Sequence, residues 1–121
     1  MAITELGRLI RLTTNLTWDE GLRILERDRY TCQYCGLDGL RNFENSLIMT
    51  VDFVVPRSKK GKKNPGNLVA ACRPCNVLKG HRHVFASFEE AKEYVLKRRA
   101  ALHQEWEGRV ARLRATSSAT A

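Results

Sequence analysis

Cysteines stand in two pairs with identical two-residue gaps, Cys32-Gln33-Tyr34-Cys35 and Cys72-Arg73-Pro74-Cys75, and the chain contains no others. Thiolates in this pattern are the ligand set of a closed tetrahedral zinc site, in which sulfur reaches the ion at about 2.3 Å and two knuckles distant in sequence share one metal. Paired gaps of this kind in a reducing compartment read as zinc thiolates rather than disulfides. The disulfide alternative would also need a secretory route, and no charged, apolar, small-residue leader opens the sequence. Between the pairs lies Thr50-Val51-Asp52-Phe53-Val54-Val55-Pro56-Arg57-Ser58, a hydrophobic-to-basic run in which an acid can be brought against an amide by the metal clamp.

Composition sets the limits around this centre. At 121 residues the chain suffices for one modest domain with extensions, a size at which a metal staple helps a small apolar core. The formal charge of +8 favours an anionic polymer as partner, nucleic acid ahead of an acidic membrane surface. No stretch approaches the roughly 18 to 20 apolar residues of a membrane span, so the expected protein is soluble and cytoplasmic, with no membrane partner.

The elements that must position the cysteines follow from local pattern. Residues 1–12 mix Ile3, Leu6, Leu9 and Ile10 with Arg8 and Arg11 and suit a short strand or a helical turn. Thr17-Trp18-Asp19-Glu20 has the form of a capping box and predicts a helix over 18–29. The first knuckle follows over 30–36, with Gly36 free to take a positive φ. After a polar loop, β-branched residues predict a strand over 47–55 that Pro56 ends, then a basic turn over 57–66 and a second strand over 68–71. The second strand delivers Cys72, and Asn76 falls where a helix would begin.

Ser87-Phe88-Glu89-Glu90 is a second capping-box pattern, opening a long helix through Val95, Leu102, Trp106, Val110 and Leu113. Such a helix would be about 40 Å long, more than a small domain can cover, so packing is expected near 88–95 and exposure beyond. Residues 115–121, rich in Ser, Thr and Ala, predict a disordered tail. The organisation expected is an N-terminal extension and helix over 1–29, a zinc-bracketed domain over 30–86, a basic helix over 87–114 and the tail.

The residues from Tyr30 to Gly80 resemble the HNH endonucleases, in the branch where cysteine pairs bracket the nuclease motif. The matching pieces are Tyr30-Thr31-Cys32-Gln33-Tyr34-Cys35-Gly36, Asp52-Phe53-Val54-Val55-Pro56-Arg57-Ser58, Asn67-Leu68-Val69-Ala70-Ala71-Cys72 and Cys75-Asn76-Val77-Leu78-Lys79-Gly80. The resemblance implies an α+β protein with a ββα-metal (His-Me finger) core and metal-dependent cleavage of DNA with little sequence preference. It makes Asp52 and Asn76 the ligands of a catalytic Mg2+ or Mn2+, and Asn67 the amide that orients the catalytic loop. Hard cations are commonly held in this way, by few protein oxygens plus water and phosphate.

Phe53 departs from the pattern, standing where the family has the histidine that takes a proton from the attacking water. General-base help is worth about 10² to 10⁴ in rate. Three outcomes are open: slow cleavage by metal-bound hydroxide, a substitute base from His81 or His83, or a DNA-binding module on a scaffold that no longer cuts. A core aromatic filling space is the plain alternative for Phe53 itself. Arg57, Lys59, Lys60, Lys62 and Lys63, extended by Lys79 and Arg82, form the candidate phosphate-binding patch, a solvated loop being the plain alternative. Lys97, Arg98, Arg99, Arg109, Arg112 and Arg114 make the long helix basic, while Trp106 and Leu113 suit a partner, including a second copy of the chain.

Overall fold

The computed structural model describes residues 16–120; the expected strand or turn over 1–12 lies outside them. Helix α1, Trp18–Arg27, begins as the sequence requires. Thr17 Oγ1 accepts from the Glu20 N–H at 3.1 Å and Glu20 Oε1 accepts from the Thr17 N–H at 2.9 Å, satisfying two donors that the first turn leaves without partners. The helix ends two residues short of expectation, because Arg29 and Tyr30 both take positive φ and turn the chain toward the first knuckle. Asp28 fixes that exit by accepting from the Ala70 N–H at 2.8 Å, while Arg27 donates to the carbonyls of Pro65 and Leu68.

A short helix, α2, Phe43–Leu47, occupies what the sequence suggested was loop. Asn42 caps it by accepting from the Asn45 N–H at 2.7 Å, but none of its residues is buried, so it carries no apolar periodicity to read. Strands β1, Met49–Phe53, and β2, Leu68–Cys72, form an antiparallel pair with Met49 opposite Cys72 and Phe53 opposite Leu68. Strand β1 is thus shorter than the expected 47–55 run. Every residue of β1 is buried, including Thr50 and Asp52.

Between the strands the chain makes two short 3-10 turns, Arg57–Lys59 and Pro65–Asn67. Gly61 is forced by a close approach: a Cβ there would lie 1.7 Å from the Val55 carbonyl oxygen. Helix α3, Arg73–Lys79, starts directly from Cys72 with Pro74 in its first turn, where a missing N–H costs nothing. Asn76 therefore sits within α3 and not at its start.

Helix α4 spans Phe88–Thr120. Ser87 Oγ accepts from the Glu90 N–H at 3.1 Å, and the Glu90 carboxylate reaches back one residue further than a strict capping box, to the Ala86 N–H. Ala91 and Val95 are fully buried and the Phe88 ring lies 5.1 Å from that of Tyr34, which docks the first turns of α4 on the core. Arg98 adds a bond to the Leu78 carbonyl at 2.8 Å. Beyond this the stripe is bare, with Trp106 57% exposed. The helix continues through Thr120, so the tail expected from 115 is helical as far as it is described. Its long run without Gly or Pro after Gly108 and its alanines make that continuation favourable.

Candidate functional site

The knuckle after α1 supplies Cys32 and Cys35, the end of β2 supplies Cys72, and the first turn of α3 supplies Cys75. Their four sulfurs all lie within 4.8 Å of one another. Cys35 Sγ and Cys72 Sγ are 3.7 Å apart, close to the edge of about 3.8 Å in a tetrahedron with 2.3 Å metal–sulfur bonds and far from a covalent S–S distance. All four thiols are free. Gly36, at φ 80°, turns the first knuckle, while Cys32 N–H donates to the Leu37 carbonyl and Gln33 N–H to that of Ala70, tying the knuckle to β2.

Without a cation this cluster cannot release all its protons. Sulfur hydrogen bonds from its three neighbours pull the Cys32 thiol far down, whereas bonding to Cys32 and Cys35 pushes Cys72 and Cys75 far up. A dication resolves the conflict by compensating the thiolates together, and the donor set fits zinc. Arg99 of α4 donates to Cys75 Sγ at 3.6 Å and supplies positive charge next to the cluster.

A cleft of about 290 Å³ lies between β1, the first 3-10 turn and α3, with Asp52, Phe53, Arg57, Asn76, Lys79 and His81 on its walls. Asp52 and Asn76 are thus brought together, and His81 joins them. His83 does not: it faces Phe85 and Tyr94 at ring separations of 6.1 and 5.7 Å, on an adjoining cleft of about 260 Å³. Larger hollows of about 440 and 470 Å³ lie along α4 beside Leu102 and Leu96, away from the acid.

Asp52 is engaged at both oxygens. The Tyr34 hydroxyl donates to Oδ2, and the Lys79 ammonium lies 3.3 Å from Oδ1 while donating to the Phe53 carbonyl at 3.0 Å. Burial pushes the Asp52 carboxyl up, opposed by the Lys79 charge and the Tyr34 hydroxyl; burial and the facing carboxylate raise Tyr34 strongly. The carboxylate so held is not an open ligand, and its surroundings do not fit a divalent ion alongside the ammonium. Phe53 is buried, with the Arg57 guanidinium 5.9 Å from its ring centre, and offers no proton acceptor to the cleft.

Asn67 closes the loop beneath the cleft through three bonds, accepting from the Val55 N–H and donating to the carbonyls of Val55 and Lys62. Arg57 lines the cleft, Lys59, Lys60, Lys62 and Lys63 are exposed on the turn that follows it, and Arg82 is exposed on the adjoining cleft. Lys63 also pairs with Glu20 at 3.0 Å. Lys79 does not belong to this surface patch. Helix α3 crosses β1 and aims the lysine stem inward, leaving the residue 2% exposed against the acid. Tyr34 and Arg99 are the site residues that sequence reasoning missed. Tyr34 had a faint signal, an aromatic inside the metal knuckle, whereas Arg99 was only one cation of a basic helix.

A two-stranded hairpin feeding a helix, with a tetrathiolate cluster at its base and an acid facing that helix, is a core of the ββα-metal kind. Residues 32–82 match the family model described as HNH endonuclease, a likeness that points to nuclease-type or DNA-binding function. No curated protein and no solved structure matches the chain. Among the described residues, no helix is long and apolar enough to cross a membrane.

Proposed function

We propose that this chain is a DNA-binding HNH protein that holds the phosphodiester backbone at the Asp52–Asn76 cleft and has lost efficient hydrolysis. The observation that carries the reading is Phe53: a buried ring covered by Arg57 stands at the position of the proton acceptor, next to a turn of exposed lysines that suits phosphate. DNA presents one charge per about 1.7 Å of axis, and lysines on a short turn meet it without reading bases. Contacts of this type give weak sequence preference and strong dependence on salt.

The test is duplex binding across a salt series together with plasmid nicking in Mg2+ or Mn2+, with zinc-loaded protein. Neutralising Lys59, Lys60 and Lys62 together should reduce the logarithmic salt slope by up to about 0.9 for each phosphate contact removed. Wild-type protein should leave plasmid intact. Nicking that disappears in Asp52→Ala would overturn the reading.

A second reading, metal-dependent endonuclease activity, is favoured by one observation: Asp52, Asn76 and His81 share a single cleft. On that reading His81 replaces the missing base, and His81→Ala abolishes nicking as fully as Asp52→Ala does. The exposed stripe of Leu102, Trp106 and Leu113 suits a second copy of the chain, which sedimentation of wild type against Trp106→Glu examines.

A further inference from the structure

Lys79 is a buried cation on the wall of the cleft, apart from the exposed patch. A lysine 2% exposed loses its hydration and is retained as an ammonium only where oxygens replace that water. Here they are the Asp52 carboxylate at 3.3 Å and the Phe53 carbonyl at 3.0 Å, and the remaining Asp52 oxygen is taken by Tyr34. Among the described residues, no buried side-chain nitrogen or oxygen lacks a partner, so this polar group is complete as folded. A Mg2+ or Mn2+ ion would need a free carboxylate oxygen at about 2.0–2.1 Å and room for several waters, next to a positive charge already in place.

We propose that the Lys79 ammonium is the resident cation of the Asp52 centre, so that the cleft receives a phosphodiester without a divalent ion. The proposal rests on the DNA-binding reading and deepens it. Asp52 alone would repel a phosphate; paired with Lys79 it is neutralised, and Arg57 on the same cleft supplies the surplus positive charge. The cleft then receives the single negative charge of a phosphodiester at Arg57, with the Asn76 side chain on the same wall, and binding does not require added metal.

Mn2+ titration of the zinc-loaded full chain, read by electron paramagnetic resonance, tests this directly. Wild type should show no saturable site that depends on Asp52, and duplex affinity should be the same with and without Mg2+ at constant ionic strength. Lys79→Met should expose the carboxylate and tighten Mn2+ binding by about tenfold or more, equivalent to about 1.4 kcal/mol. The double variant Asp52→Asn/Lys79→Met removes both charges and should fold without binding Mn2+. Saturable Mn2+ binding by wild type that is lost in Asp52→Asn would overturn the proposal, and this comparison decides even where Lys79→Met fails to fold. DNA binding that survives alongside such a site would leave the broader reading standing, whereas absence of lysine-dependent DNA binding with no Mn2+ site would overturn that reading and leave only the Lys79–Asp52 pairing.

Discussion

Asn67 grips Val55 by both backbone groups, its side-chain oxygen accepting from the N–H at 2.8 Å and its amide donating to the carbonyl at 3.0 Å. A third bond, to the Lys62 carbonyl at 3.0 Å, ties the basic turn to the same side chain. Asn67→Ala leaves half-buried backbone groups without partners and should destabilise the fold by about 1–3 kcal/mol, measured by urea unfolding. Asn67→Asp keeps the acceptor but sets a carboxylate oxygen against the Val55 and Lys62 carbonyls in place of the two donor bonds, so near neutral pH it should destabilise at least as much as alanine.

Gly61 and Gly66 make a matched pair on the same turn. A methyl group at Gly61 meets the Val55 carbonyl oxygen, a backbone atom that cannot rotate away, whereas at Gly66 the nearest atom is Asn64 Oδ1 at 3.4 Å. Gly61→Ala should cost more than about 2 kcal/mol and Gly66→Ala should be nearly neutral. Thermal melts of the two variants check this, with equal losses counting against the close approach.

Metal removal should unfold the centre of the molecule. The cysteine cluster joins the knuckle after α1 to both β2 and α3, so binding energy at the sulfurs is folding energy. One zinc per chain should be found by elemental analysis, and Cys72→Ser should lose it along with the helical signal. Because coordination displaces thiol protons, zinc affinity should weaken as pH falls from about 8 to 6, measured against a competing chelator.

Glu20 provides the acid-side prediction. The Thr17 backbone N–H, and after it Lys63, holds its carboxyl below the usual range. The native state therefore binds that proton less readily than the unfolded chain does. Its contribution is present above the unfolded pKa of about 4.3 and is lost as pH falls through the lower native value. Glu20→Gln should flatten that part of the stability profile between about pH 5 and 3, and an unchanged profile would discount the cap and the Lys63 pair.

The cysteine cluster was legible because sulfur ligation imposes a spacing that survives in one dimension, and the capping residue Thr17 was legible because it acts on its own neighbours. The hairpin was recognisable from β-branched runs ended by Pro56. Lys79 was misplaced because a lysine at a helix end close to Arg82 gives no sign of direction; only the packing of α3 against β1 turns it inward. Asn76 was set at a helix start because Pro74 and Cys75 hide the fact that α3 begins at once after Cys72. Helix α2 was missed since an all-exposed segment of five residues has no buried face. Arg99 and Cys75 are 24 positions apart and meet through the docking of α4, which local sequence does not encode.

The docking of α4 has a mechanical consequence. At about 1.5 Å per residue its 33 residues make a rod of about 50 Å, held among the described residues along its early turns. Among the described residues Arg99 is the last of those attachments, and what it touches is a cysteine sulfur. The distal part of the rod thus hangs from attachments that end at the thiol cluster, and a pull on it bears on Arg98, Arg99 and the packing of Ala91 and Val95.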